Sequence, residues 1–343
     1  MKALVLKEYL KLAYEDVPEP RVGAGEVLIR VEACGICGSD VHGLDGSTGR
    51  RIPPIVMGHE AAGVIAEVGP GVEGWRRGER VTFDSTIYCG SCWHCRRGEV
   101  NLCDHRRVLG VSCSEYRQHG AFAQYVAVPA RILYRLPDSV SFEQATMVEA
   151  LSIAMHGARR GPVRAGEAAL VIGTGTIGLL AVQVLKADGC HPVIAADIDD
   201  AKLERARAAG ADVVVNPARA GALQEAVARH TVRGVDLAVD AVGVSDSLEA
   251  ALSALRKGGA LNVIGMDSPR AEFTLQRLVN RQLTVRGSCA SAGEYPACLD
   301  LIATRKVDVT ALISAVAPLA EGASWFKRLY EREPGLLKVV LKP

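Results

Sequence analysis

Short apolar runs alternate with polar positions through residues 1–30, as in Ala3-Leu4-Val5-Leu6 and Val27-Leu28-Ile29-Arg30-Val31, around a proline joint at Pro18 and Pro20. This patterning predicts the short strands of a β-rich domain. Further strand patterns fall in residues 61–80, broken by Gly69-Pro70-Gly71 and Gly78, and in residues 120–128, whereas residues 139–156 have helical spacing. From Ala168 onward the period switches repeatedly. Strands are expected at 168–172, 192–196, 212–215, 235–239, 260–264 and 283–285, with helical segments such as 200–209 and 245–255 between them. Six strands with intervening helices describe a doubly wound parallel sheet, which binds a nucleotide where its strand order reverses. After Arg286 the pattern changes back, with helices at 297–304 and 325–332 and a closing strand at 336–341. The expected division is therefore a first domain over 1–152, a nucleotide-binding domain over 153–287 and a return to the first over 288–343, with the joint at 157–166. No internal repeat or low-complexity tract interrupts it.

The stretch 168–197 carries the most information. An apolar run leads into Gly173-Thr174-Gly175-Thr176-Ile177-Gly178, a helical pattern follows, and a second strand ends on Asp197, 19 residues after Gly178. Gly173 permits the tight turn, Gly175 lets backbone approach a pyrophosphate, Gly178 lets helix pack on strand, and Asp197 accepts from the adenosine ribose. The 18 uncharged residues 168–185 have the length of a membrane span, but their glycines, Thr174, Thr176 and Gln183 fit the nucleotide turn better.

Composition narrows the class. The 343 residues are 49% hydrophobic and 23% charged, with a net charge of +1, so no broad field draws in nucleic acid or an anionic membrane; a small-molecule partner is expected. Lys2, Lys7, Glu8 and Lys11 interrupt any secretory h-region, which places the protein in the cytoplasm. Of ten cysteines, six fall in two short windows, a pattern of metal binding rather than of a disulfide framework.

In the first window Cys34 and Cys37 precede Ser39 and His42, and Gly58-His59-Glu60 follows after a loop. Cys37, His59 and Glu60 offer thiolate, imidazole and carboxylate, three ligands that leave a fourth zinc position open for chemistry. A redox pair of Cys34 with Cys37, or a merely hydrogen-bonded His59, are the competing readings. Cys89, Cys92, Cys95 and Cys103 have the spacing of a closed structural zinc site, in a lobe spanning about 86–108. An iron–sulfur cluster is the other use of four thiolates, though no Cys-Pro ferredoxin pattern accompanies them. A nucleic-acid knuckle is weighed because Arg96, Arg97, Arg106 and Arg107 flank the site, but no aromatic stacking array goes with them. Glu149 sits among Met147, Val148, Ala150, Leu151 and Ile153, where a carboxylate is costly unless it is bound to a metal or paired, for instance with Arg159 or Arg160.

Taken together, GICGSDVH at 35–42, GHE at 58–60, the four-cysteine lobe, VEALSIAMHGARR at 148–160, GTGTIG at 173–178 and the terminal KVVLKP cover nearly the whole chain. It resembles the zinc-dependent medium-chain alcohol dehydrogenases, most closely their polyol, or sorbitol-type, branch. The resemblance implies a GroES-like β-rich catalytic domain split by a Rossmann NAD-binding domain. Cys37 and His59 would be catalytic zinc ligands, with Glu60 or Glu149 as the third and Glu149 otherwise bonded to the zinc's water. Ser39 would take the alcohol proton and His42 would continue the relay through the cofactor ribose. Cofactor contacts would come from Gly173, Gly175, Thr176, Ile177, Gly178, Asp197, Ile198, Lys202, Ala241, Val242, Gly243, Ile264, Gly265, Ser288 and Ala290.

The implied chemistry is hydride transfer between a zinc-bound alkoxide and NAD, interconverting a secondary alcohol and its ketone. Asp197 favours NAD over NADP because a carboxylate repels a 2′-phosphate. Ala290 and Ser291 stand where sorbitol dehydrogenases carry Arg-Tyr, and Glu149-Ala150 where they carry Glu-Pro, which argues against sorbitol itself. Polyol-phosphate dehydrogenases of the galactitol-1-phosphate type, aminocyclitol dehydrogenases and threonine dehydrogenases are neighbouring readings; a non-catalytic NAD-binding protein is the reading from another class. The resemblance also implies a homodimer or homotetramer built through the outer strand near Leu283. Glu115 or Arg117, in the polar loop 112–119, is expected to help select a hydroxylated substrate: Arg117→Ala should reorder the rates measured across a panel of alcohols, and an unchanged ranking would count against it.

Overall fold

The computed structural model describes residues 1–161 and 164–343; positions 162 and 163, inside the joint expected at 157–166, lie outside the described residues. The chain divides into two compact units, one of Met1–Glu149, Tyr295–Ala303 and Val309–Pro343, the other of Ala150–Glu294 and Thr304–Asp308.

In the first unit a seven-stranded sheet is built around the long strand Glu26–Gly35. Glu60–Val68 pairs along one edge, while Tyr125–Pro129 and Lys338–Lys342 share the other, all antiparallel. Strands Arg80–Phe83 and Leu133–Arg135 extend the sheet outward, and Ile313–Pro318 adds parallel to Lys338–Lys342. A smaller sheet of Lys2–Glu8, Lys11–Asp16 and Ile55–Val56 completes the β-rich body. The core between them holds Leu4, Leu6, Ile29, Met57 and Phe122, the last set edge-on against Phe326 at 5.5 Å.

In the second unit six strands pair in parallel in the order Val213–Val215, Val193–Ala196, Ala169–Ile172, Val235–Asp240, Leu255–Val263, Thr284–Gly287. Read in chain order this is 3-2-1-4-5-6, with the reversal beside the first strand. The first two strands after the joint, Ala169–Ile172 and Val193–Ala196, are buried at every position, as a sheet covered on both faces requires. The apolar stretch 168–185 resolves into the strand Ala169–Ile172 and most of the helix Thr176–Ala187. Among the described residues no helix is long and apolar enough to cross a membrane.

Two local readings are corrected. The segment 139–156 is not one helix but Phe142–Ala145, closed by a capping box from Ser141 and Gln144, followed by Val148–Ala158. The strand expected from Gly120 starts at Tyr125; residues 120–122 instead bond across to Val56, Met57 and Gly58, an approach so close that a Cβ on Gly120 would lie 2.2 Å from the Gly58 carbonyl oxygen.

The glycine turn is held by similar closeness. A Cβ on Gly178 would stand 1.7 Å from the Gly173 carbonyl oxygen, which is backbone and cannot swing aside. Gly178→Ala should therefore destabilise the protein by about 1–3 kcal/mol, read as a lowered thermal midpoint, through overpacking between helix and strand.

Candidate functional site

Strand register brings the first group of ligand candidates together. Gly35 ends its strand opposite Glu60 on one side and Val340 on the other. Residues just beyond that point, Cys37, His59 and Lys338, consequently gather at one end of the sheet with Glu60. Single ligand atoms of Cys37, His59 and Glu60 lie within 4.8 Å of one another. One sulfur, one ring nitrogen and one carboxylate oxygen at that spacing are the donor set of an open zinc site. The redox alternative fails on burial: Cys34 is fully enclosed and its thiol is pushed well up by desolvation, the wrong state for exchange with Cys37.

Around the triad the charges are buried and paired. Nδ1 of His59 faces Asp40 Oδ1 at 3.5 Å, too long for a good hydrogen bond but close enough to orient the ring. Asp40 is fully buried; that burial alone would raise its carboxyl, and the attraction of His59 and Arg51 overrides it, leaving the group well below the usual carboxylate range. Lys338 donates to both oxygens of Glu60, at 2.7 and 2.5 Å, with both side chains buried. Burial works against the lysine's charge, but Glu60 and Cys37 hold its pKa above the ordinary value. Gly35 leaves the space: its Cβ would meet Glu60 Oε2 at 2.6 Å.

Glu149 stands outside the 4.8 Å group but shares its field. It accepts from Ser85 Oγ at 3.3 Å, and burial pushes its carboxyl up to about 7, with Glu60 and Asp84 adding to the rise and His59 and Lys338 opposing it. Of its sequence neighbours, Arg159 binds Asp188 and Arg160 donates to the Gly287 carbonyl. Ser39 and His42 are exposed on the short helix Gly38–His42, three residues apart and so on one side of it. Glu115 lines a cleft with Arg106, Arg107 and Arg131 beside Cys89, while Arg117 donates to Ser112 Oγ at 3.2 Å.

Four site residues escaped the sequence reading. Lys338 acts through a contact 278 positions away, Asp40 and Arg51 pair across 11 positions, and buried Tyr295, stacked on Tyr134 at 4.8 Å, lies in the field of Asp84 and Glu149. For Lys338 a signal existed: a lysine opening an otherwise apolar strand, KVVLK, has to find a partner.

Cys89, Cys92, Cys95 and Cys103 likewise bring their sulfurs within 4.8 Å of one another. Amide groups aim at them, Cys89 N–H to Cys103 Sγ at 3.2 Å and Cys92 N–H to Cys89 Sγ at 3.3 Å. Hydrogen bonds from Ser91 and Cys92 lower the Cys89 thiol to about 5, while burial and the neighbouring sulfurs raise Cys95 to about 12. Four sulfurs this close cannot all ionise without a cation among them, which fits a structural metal.

In the second unit the glycine turn forms an anion cradle. Gly173 has φ 85°, and its Cβ would strike Val242; Gly175 faces open space, with nothing within 4 Å of a Cβ there. The helix Thr176–Ala187 begins at Gly175 without a side-chain cap, so its first amides remain available to a pyrophosphate. Asp197 is buried at the end of the next strand, accepting from Thr174 N and Oγ1 at 2.7 and 3.1 Å and from Asp199 N at 3.0 Å. Ile198 is exposed beside it, and Lys202 lies in the helix that Asp199 caps. The loops 241–243 and 264–265 touch backbone to backbone, since a Cβ on Gly243 would lie 2.2 Å from the Gly265 oxygen. Beyond the last strand come Ser288, whose buried Oγ has no partner among the described residues, and Ala290, held at φ 53°.

Comparison with known proteins decides the family. Residues 23–138 match the alcohol dehydrogenase GroES-like domain and residues 176–304 the zinc-binding dehydrogenase domain. Over its full length the chain is 32% identical to the sorbitol dehydrogenase of Bacillus subtilis (strain 168), covering 97% of that protein. The chain belongs to the zinc-dependent medium-chain alcohol dehydrogenases. As a member of this family it is an oxidoreductase acting on CH–OH groups. A second dehydrogenase relative, the L-threonine 3-dehydrogenase of Pyrococcus abyssi (strain GE5 / Orsay), is 37% identical over 81% of this chain and 78% of its own. Among solved dehydrogenases, an alcohol dehydrogenase of E. coli CFT073 complexed with NADH superimposes with a TM-score of 0.92 at 31% identity, covering 100% of this chain and 99% of the other.

The Glu60–Lys338 pair gives a stability test for this dehydrogenase. In the metal-free protein Lys338→Met should cost about 3–5 kcal/mol by stranding a buried carboxylate. Adding Glu60→Gln should recover part of that loss, and additive effects in denaturant unfolding would show the two side chains to be uncoupled.

Proposed function

We propose that the enzyme uses NAD and a catalytic zinc to interconvert a secondary alcohol of the polyol, sugar or cyclitol kind and its ketone. The observation that carries this reading is the Cys37–His59–Glu60 group, whose donors suit zinc and leave a coordination position for substrate. When bound, zinc lowers the pKa of an alcohol and NAD accepts its hydride. The protein's own part is to hold and orient. Cys37 and His59 are the constant ligands; Glu60, tied to Lys338, and Glu149, buried nearby, are the two candidates for the third. Ser39 takes the proton from the alcohol, and His42, on the same helix, passes it toward solvent. Gly173, Gly175 and Gly178 seat the pyrophosphate, and the carboxylate of Asp197 selects NAD by repelling a 2′-phosphate. A second, structural zinc in the four-cysteine lobe stiffens a segment with little core of its own.

The sorbitol dehydrogenase relative, aligned along the whole chain, supports a polyhydroxylated substrate. The L-threonine 3-dehydrogenase relative, at higher identity over less of the chain, supports the second reading, an amino alcohol. We also propose a cytoplasmic homo-oligomer. The outermost strand of the six-stranded sheet, Thr284–Gly287, and the helix Leu275–Asn280 beside it expose Leu275 at 64% and Val279 at 66%, which supports burial of this edge against a second copy.

The test is a panel of polyols, sugar phosphates and L-threonine with NAD or NADP, on protein whose zinc has been counted. Reduction of NAD by a polyol, at two zinc ions per chain, is expected. Turnover of L-threonine alone would shift the reading to the second, and no cofactor reduction by zinc-loaded protein would leave a nucleotide-binding protein without activity.

A further inference from the structure

Arg51 is a buried cation that neither the ligand set nor the cofactor cradle accounts for. Its guanidinium donates twice to a single oxygen of Asp40, Oδ1, from Nε at 3.2 Å and from Nη2 at 2.9 Å. The same Nη2 reaches the hydroxyl oxygen of Ser39 at 3.4 Å. That Asp40 oxygen is also the one facing His59 Nδ1 at 3.5 Å. One planar group thus touches both the carboxylate behind a zinc-ligating ring and the hydroxyl placed at the start of the proton relay.

The chain is built to admit it. A Cβ on Gly43 would lie 2.3 Å from Arg51 Cγ, so the turn closing the helix Gly38–His42 is hollow where the arginine passes. Its backbone is pinned from the far side by a bridge to Ser112, with Ile52 N–H donating to Ser112 O at 3.0 Å and Ser112 N–H to Arg50 O at 3.2 Å. The remaining nitrogen, Nη1, donates to the Arg50 carbonyl at 3.0 Å. A lysine could supply the charge here, but not the second donor, Nε, nor the planar fork that fixes Nη2 between Asp40 and Ser39.

We propose that Arg51 is a positioning residue for alcohol oxidation: it holds the Asp40 carboxylate behind His59 and occupies one lone pair of Ser39, so that the hydroxyl turns its other lone pair and its proton to the relay. The second half rests on the reading of Ser39 as the proton acceptor. The first half, through Asp40 and His59, does not. Removing a carboxylate that orients a ligating histidine typically costs about 10–100-fold in metal affinity or activity, and displacing that carboxylate should act in the same direction.

The test uses zinc-loaded protein with Arg51→Gln, Arg51→Lys and Ser39→Ala. Zinc release to the chelator 4-(2-pyridylazo)resorcinol separates the open site from the four-cysteine site, and kcat and KM are measured with the fastest alcohol of the panel. Arg51→Gln should release the open-site zinc at least about 10-fold faster, with the four-cysteine phase unchanged, and should lower kcat about 10–100-fold with KM for NAD unaltered. Arg51→Lys should restore most of the metal retention but not kcat. If the Gln variant does not fold, the Lys variant decides the matter by a fallen kcat at a normal thermal midpoint. Wild-type zinc release in Arg51→Gln, or wild-type kcat in Arg51→Lys, would overturn the proposal. A Ser39→Ala protein with unchanged kcat would instead remove the relay reading, leaving the metal-release result to judge Arg51 through Asp40 alone.

Discussion

Gly35 has no side chain to hold its neighbours apart, and the strands paired to it on either side decide which groups reach the metal site. Glu60 lies across from it on one edge and Val340 on the other. A slip of one residue in either pairing would turn Glu60 or Lys338 to the opposite face of the sheet and separate two charges that are tolerable in the interior only together. The ligand geometry is thus set by backbone register, and the side chains inherit it.

Electrostatics then selects what can occupy that geometry. Cys37, Glu60, Glu149, Asp40 and nearby Asp84 are five potential anions in this region, with Lys338 and Arg51 as the cations against them. With all of them ionised the negative charges outnumber the positive ones, which favours binding of a divalent cation. Without one, Glu149 keeps its proton to about pH 7 because burial and the other carboxylates disfavour its charge. The four sulfurs of the other lobe face the same difficulty, with one thiol driven down and another up.

Much of this was legible in the sequence, for physical reasons. Parallel strands covered on both faces have to be apolar throughout, so Ala169–Ile172 and Val193–Ala196 stood out, and ligands spaced two or three residues apart in loops carry local signatures. What stayed hidden depends on pairings that no local pattern displays. Lys338 meets Glu60 from 278 positions away, and Arg51 meets Asp40 across 11 positions through the space that Gly43 leaves. The helix expected over 139–156 misled because its spacing is regular through Thr146 and Met147, where the chain breaks; Ser141 and Gln144 close a separate short turn before it. Residues 120–123 read as strand because they are apolar, yet Gly120 serves to let two backbones cross.

The long separation between Glu60 and Lys338 also bears on how the protein is made. A ribosome builds the metal-ligand loops early and the strand Lys338–Lys342 only much later. Throughout that interval the nascent chain carries a carboxylate whose buried counter-charge has not yet been synthesised, so the site cannot close in its final form during elongation. Until then the Glu60 carboxylate is cheaper to keep in water than to bury.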